Sequence, residues 1–165
     1  PKLFRLAKKQ KIIEGIFRGA TINTISMLAI EDALDALRWV ESIGGGPGMV
    51  ARAEANFAVI DAWVARTPWV EFLARDPATR SRSSLCLSIT EDWFAALEES
   101  ARWDIVGTFT KMLEAEGAAF DIATHRAASP GLRIWSGGTV EESDLEKLLP
   151  WLDWAWSEIR AKHAV

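Results

Sequence analysis

An α+β fold, with an antiparallel sheet carrying helices on one face, follows from three features of this sequence. Apolar stripes of helical period begin after the first 25 residues and return at the C-terminal end. Segments of strict alternation lie between them. Short clusters of Gly, Pro, Ser and Asp separate the segments closely enough for simple antiparallel connections.

Residues 1–25 form a mixed lead-in without clear periodicity. From Ser26, the apolar residues Met27, Ile30, Leu34, Leu37 and Val40 predict a helix with one buried face. Gly44-Gly45-Gly46-Pro47-Gly48 stops it. A helix stop fits better there than a phosphate-cradling loop, because the run follows a helix and no Lys-Ser/Thr comes after it. Met49, Ala53, Phe57, Ile60 and Val64 predict a second helix, closed by Thr67-Pro68. Residues 70–73 read as a short strand and Asp76-Pro77-Ala78-Thr79 as a turn. Residues 84–89 alternate, with Leu85, Leu87 and Ile89 on one face and Ser84, Cys86 and Ser88 on the other. A short helix is expected over 91–101. Another, marked by Ile105, Phe109, Met112 and Leu113, is stopped by Gly117.

Two strands then flank a Ser129-Pro130-Gly131 turn, one at 119–122 and one at 132–135. Thr139, with Glu142 three residues on, predicts a capping box for the last helix. Leu145, Leu148, Leu152, Trp156 and Ile159 supply its buried face. Pro150 should kink that helix or mark a joint in it.

Composition narrows the function classes. At 165 residues, 49% apolar and a net charge of −4, the chain is long and apolar enough for one well-packed domain. Its basic residues are spread out, so no nucleic-acid surface is expected. No apolar run is long enough to cross a membrane. Cys86, His125 and His163 lack metal-ligand spacing, so no metal is expected. A single cysteine suits a reducing, cytoplasmic setting. Nine tryptophans with no tyrosine suggest that some indoles pack on protein outside this chain. The opening Pro1-Lys2-Leu3-Phe4 reads as a cut inside a longer polypeptide.

Two places carry candidate chemistry. In the 132–135 strand, Arg133 projects opposite Leu132 and Ile134, with His125 and Arg126 across the preceding turn. Two guanidinium groups and an imidazole suit a small dianion, since each fork can grip a carboxylate or phosphate through two hydrogen bonds. From spacing alone, two solvated arginines are the simpler account. The second place is residues 19–26, where Thr21, Asn23, Thr24 and Ser26 precede a helix N-terminus, a natural phosphate site. Ordinary capping by Thr24 or Ser26 explains the same residues without a ligand.

Both segments resemble the phosphoserine aminotransferase family. The resemblance lies in Glu14-Gly15-Ile16-Phe17-Arg18-Gly19-Ala20-Thr21-Ile22-Asn23-Thr24 and in Asp76-Pro77-Ala78-Thr79-Arg80-Ser81. It continues through His125-Arg126, Gly131-Leu132-Arg133-Ile134 and the Leu149-Pro150-Trp151-Leu152-Asp153-Trp154 helix. It implies the small C-terminal domain of a type I pyridoxal 5'-phosphate (PLP)-dependent transferase over residues 26–165. Residues 1–25 then connect to a missing large PLP-binding domain. It further implies a cytoplasmic homodimer sharing its site across the interface, which transfers an amino group from glutamate to 3-phosphohydroxypyruvate in serine biosynthesis. By the same resemblance, Asn23 and Thr24 reach the cofactor phosphate of the neighbouring subunit. His125 and Arg126 receive the distal anion of the substrate, and Arg133 clamps its α-carboxylate.

No catalytic residue is expected in this chain. The Schiff-base lysine and the aspartate facing the cofactor's ring nitrogen lie upstream in the family, so the piece alone is expected to be inactive. Ile25 stands where the family has proline, and Lys9-Gln10 where it has paired glycines. Other class V aminotransferases and a non-catalytic module binding a small acid are the alternatives. A cysteine desulfurase fits less well, because Cys86 sits in an alternating segment rather than on a loop.

Overall fold

The computed structural model describes residues 7–8, 11–20 and 24–163. The chain divides into two compact units, residues 1–43 and 44–165.

The first unit is more ordered than its lack of periodicity foretold. Ala7–Lys8 (β1) and Lys11–Ile12 (β2) pair antiparallel. Glu14–Arg18 forms a 3-10 helix, and the Ala20 N–H closes the following turn on the Gly15 carbonyl at 2.8 Å. Helix α1 spans Met27–Ser42. Its cap is Ser26, whose Oγ accepts the Ala29 N–H at 3.3 Å. The expected apolar stripe is present but does not meet a core. None of the α1 residues is buried, and Met27, Leu34 and Leu37 are exposed.

The second unit begins in the glycine run. Gly44 and Gly45 take φ of 100° and 68°, a left-handed backbone that glycine adopts without steric cost. Helix α2, Gly45–Arg66, therefore starts at once rather than at Met49, with Pro47 in its first turn where a missing N–H is harmless. It buries Phe57 and Ile60 as expected, and also Asn56 and Trp63.

Three strands follow: β3 (Val70–Phe72), β4 (Ser84–Ile89) and β5 (Gly131–Trp135). They form an antiparallel sheet in the order β3-β4-β5. Between β3 and β4, Asp76 Oδ1 accepts the Ala78 N–H at 2.9 Å and caps a single 3-10 turn, Pro77–Thr79. The helix expected over 91–101 is one turn only, α3 (Asp92–Ala95), and α4 runs from Glu99 to Ala115. Gly117, with φ 68°, ends α4, and the Ala118 N–H bonds back to the Leu113 carbonyl at 2.9 Å.

Helix α5, Glu142–His163, continues through Pro150. Its buried residues are Leu145, Leu149, Leu152, Ala155, Trp156 and Ile159, so Leu149 takes the place expected for Leu148. Thr139 does not cap α5, because the helix starts only at Glu142, which leaves Thr139 two residues ahead of the cap position; its hydroxyl accepts the Trp135 indole N–H at 3.1 Å instead. The 137–141 loop is tied to α2 instead. Asn56 Nδ2 donates to the carbonyls of Gly137 and Val140, and Arg52 Nε donates to that of Gly138.

The core lies on one face of the sheet, against α2, α4 and α5. Val70, Phe72, Leu85, Leu87, Leu132 and Ile134 face it and are buried. Much of the tryptophan is accounted for here. The rings of Trp69 and Trp156 stack at 5.1 Å, Trp156 and Trp93 at 5.7 Å, and Trp93 and His163 at 4.9 Å. The indoles of Trp63 and Trp69 both donate to the carboxylate of Asp153 on α5. Trp135, Trp151 and Trp154 stay exposed.

Candidate functional site

The outer face of the sheet is built by register. Opposite residues across a ladder share a face. Cys86 pairs with Arg133, and Ser84 with Trp135. Leu87 and Leu85 pair with Leu132 and Ile134 and point the other way. Arg133 is thus held on the face opposite the core by the same ladder that buries its neighbours, as its parity in the sequence predicted. Cys86 lies half-buried in the central strand, unlike a cysteine on a mobile loop.

The segment before β5 departs from expectation. Residues 119–122 form no strand. Only an isolated bridge joins Ala123 to Leu132. Ala119 and Ile122 are buried, a spacing that breaks strand parity, and Asp121 has φ 52°, which ends any extended run. The segment still borders β5, with Arg133 N–H donating to the Ile122 carbonyl at 2.7 Å and Thr124 N–H to that of Gly131 at 3.1 Å. Thr124 Oγ1 also donates to the Ser129 carbonyl at 2.7 Å, so this buried threonine closes the loop at its base. The tight turn inside falls at His125–Ala128, where the Ala128 N–H meets the His125 carbonyl at 2.7 Å, rather than at Ser129-Pro130-Gly131. Gly131 starts β5 flush against β4, since a Cβ there would lie 2.3 Å from the Leu87 carbonyl oxygen.

His125 and Arg126 are both exposed on this loop. His125 Nδ1 accepts the Ala127 N–H at 3.1 Å, which leaves Nε2 to carry the ring proton and donate outward. Arg126 makes no ion pair or side-chain hydrogen bond among the described residues. The loop leaves the sheet opposite Gly131, about 7 Å along β5 from Arg133 by strand rise. His125 and Arg126 thus follow directly on a segment bonded to the strand that carries Arg133, and among the described residues no hydrogen bond or ion pair joins the three side chains. Arg133 is already engaged: its Nη2 donates to Asp121 Oδ2 at 3.0 Å.

A cavity of about 310 Å³ opens beside this pair, lined by Ser84, Phe120, Asp121, Ile122, Arg133 and Trp135. Asp121, Phe120 and Trp135 were missed as site residues. Trp135 was legible, having the parity of Arg133. Asp121 was not, because its approach depends on an irregular backbone. Among the described residues, no group of His, Cys, Asp and Glu is placed to hold a metal, and no helix is long and apolar enough to cross a membrane.

Of the second candidate place, Asn23 lies outside the described residues. Thr24 is exposed just ahead of α1. Since Ser26 does the capping, the Thr24 hydroxyl has no bond within the described residues. A free hydroxyl before a helix N-terminus fits a phosphate oxygen.

No protein-family model matches the chain. Over 160 residues it is 43% identical to phosphoserine aminotransferase of Methanosarcina mazei and 42% identical to that of Methanosarcina barkeri. Each match takes in 97% of this chain, which spans about 40% of the length of these curated relatives. Among solved structures, phosphoserine aminotransferase from Bacillus circulans subsp. alkalophilus superposes with a TM-score of 0.70 at 18% identity, covering 89% of this chain and 36% of that one. The PLP-bound phosphoserine aminotransferase from Trichomonas vaginalis gives 0.68 at 17% identity, covering 84% of this chain and 36% of that one. The fold is thus one found within these enzymes.

Proposed function

We propose that this chain, 42–43% identical to two phosphoserine aminotransferases, is the C-terminal part of such an enzyme, with residues 1–25 as the connection to a large cofactor domain and 26–165 as the small domain. In this reading the complete protein is a cytoplasmic homodimer that moves an amino group from glutamate to 3-phosphohydroxypyruvate, giving 2-oxoglutarate and phosphoserine. The observation that carries the reading is 43% identity sustained over 160 residues.

The residues divide the work by charge. Both substrates bear an α-carboxylate and a distal anion. Arg133 takes the first, and Arg126 with the Nε2–H of His125 takes the second. Holding both ends fixes the Cα between them and replaces water at the reacting carbon, so that orientation is settled before reaction. Thr24, with Asn23 beside it, supplies hydrogen bonds to the cofactor phosphate of the neighbouring subunit. When bound, PLP supplies the electron sink that transamination needs.

In the complete enzyme, Arg133→Ala is expected to raise KM for both glutamate and 3-phosphohydroxypyruvate. The loss corresponds to about 2–5 kcal/mol, as for stranding one partner of a desolvated charge pair. Unchanged KM for both substrates would sink the assignment.

A further inference from the structure

The Arg133–Asp121 pair adds something that the clamp alone does not require. A guanidinium can grip a carboxylate with two hydrogen bonds through either of two edges, Nε with Nη2 or Nη1 with Nη2. Both edges use Nη2, the nitrogen that Asp121 already occupies at 3.0 Å. Nη2 carries two N–H donors, one on each edge, so Asp121 takes one edge, and an incoming carboxylate must either displace it from that edge or share the guanidinium with a group of its own charge.

Asp121 is placed for exchange. Its side chain is 88% exposed, so water can replace the guanidinium at once if the carboxylate swings away. Arg133 is anchored by a strand ladder, whereas Asp121 sits on irregular backbone beside it. Asp121 is also the one non-glycine among the described residues with positive φ, at 52°. Glycine or asparagine would hold that backbone more easily, and neither carries charge. Asp121 and Arg133 line the same 310 Å³ cavity, together with Phe120 and Trp135.

We infer that Asp121 is an affinity-setting residue that occupies the Arg133 fork in the unliganded protein and is displaced by the carboxylate of the acid that binds. Asp121 keeps the fork ordered and neutralised while the site is empty. Binding exchanges one carboxylate for another, so the apparent affinity is scaled down to the fraction of Arg133 that is free of the internal pair. An exposed pair of this kind is weak, which limits that factor to about fivefold. The inference rests on the reading of Arg133 as an acid clamp.

The test is binding of glutarate, an unreactive dicarboxylate, to the complete transaminase carrying this chain, read as Kd by calorimetry. Asp121→Asn should tighten glutarate by ~2–5-fold, and Asp121→Gly by a similar factor, because both remove the charge and both tolerate the backbone. The KM for glutamate should fall in parallel with kcat unchanged, and the Arg133 Nε–H NMR signal should shift in the unliganded variant only. A purely structural Asp121 predicts the opposite sign, since loosening the segment would weaken binding. Unchanged or weaker glutarate binding in both variants, with Arg133→Ala still costing tenfold or more, overturns this inference and leaves the clamp standing. Glutarate binding untouched by Arg133→Ala removes the clamp itself.

Discussion

The two faces of the β3-β4-β5 sheet share every backbone hydrogen bond yet do opposite things. Leu85, Leu87, Leu132 and Ile134 are each no more than 2% exposed against the helices. Alternating with them in sequence, Ser84, Cys86, Arg133 and Trp135 project to the other side. The difference teaches that the core also serves the site. A one-residue slip of β5 would bury Arg133 and expose two aliphatic residues, so the burial that stabilises the sheet also locks the arginine outward.

The comparison can be broken or sharpened by substitution. The largest effect on stability is expected from Leu87→Ala on the inner face, a loss of about 2–5 kcal/mol in urea denaturation, because the void is surrounded by packed core. A loss below about 1 kcal/mol would show that the inner face is less tightly packed than its burial implies. Arg133→Ala, two positions from Gly131 on the same strand, should leave stability within about 0.5 kcal/mol while removing acid binding. If it unfolds the protein instead, the outer face is structural.

Gly131→Ala joins the two faces. Its new Cβ meets the Leu87 carbonyl, a backbone atom that cannot rotate away, so about 1–3 kcal/mol of stability should go. The same shift displaces the His125-Arg126 loop, and glutarate binding should weaken with it. Smallest of all, Cys86→Ser should change stability by less than about 1 kcal/mol and leave transamination intact, because the residue is half-buried on the outer face. Loss of activity there would point to thiol chemistry and reopen the desulfurase alternative.

Helices α1 and α5 show how far periodicity reaches. Both carry a 3.6-residue apolar stripe in the sequence, and both are helices in the structure. Only α5 buries its stripe. Periodicity reports that a helix has an apolar side, but what covers that side is a property of other chain segments. The 119–122 segment fails for a related reason. Its alternation of Phe120 and Ile122 with Ala119 and Asp121 satisfies the strand pattern, but the positive φ at Asp121 bends it after Phe120. Thr139 looked like a helix cap by spacing, and the Trp135 indole claimed its hydroxyl. In each case a competing partner, distant or local, overrode a rule drawn from neighbours alone.

The sequence by itself determined that Arg133 stands opposite Leu132 and Ile134, that glycines at 44 and 117 end helices, and which family the ordered motifs resemble. These rest on strand and helix period and on backbone freedom, which are local properties. Only the tertiary structure decided that Ser26 rather than Thr24 caps α1, that Thr124 closes the His125-Arg126 loop, and that Arg133 already holds the carboxylate of Asp121. That last pairing spans twelve positions, most of them irregular backbone. The path of such a segment is set by what it packs against, and no period in the sequence encodes it.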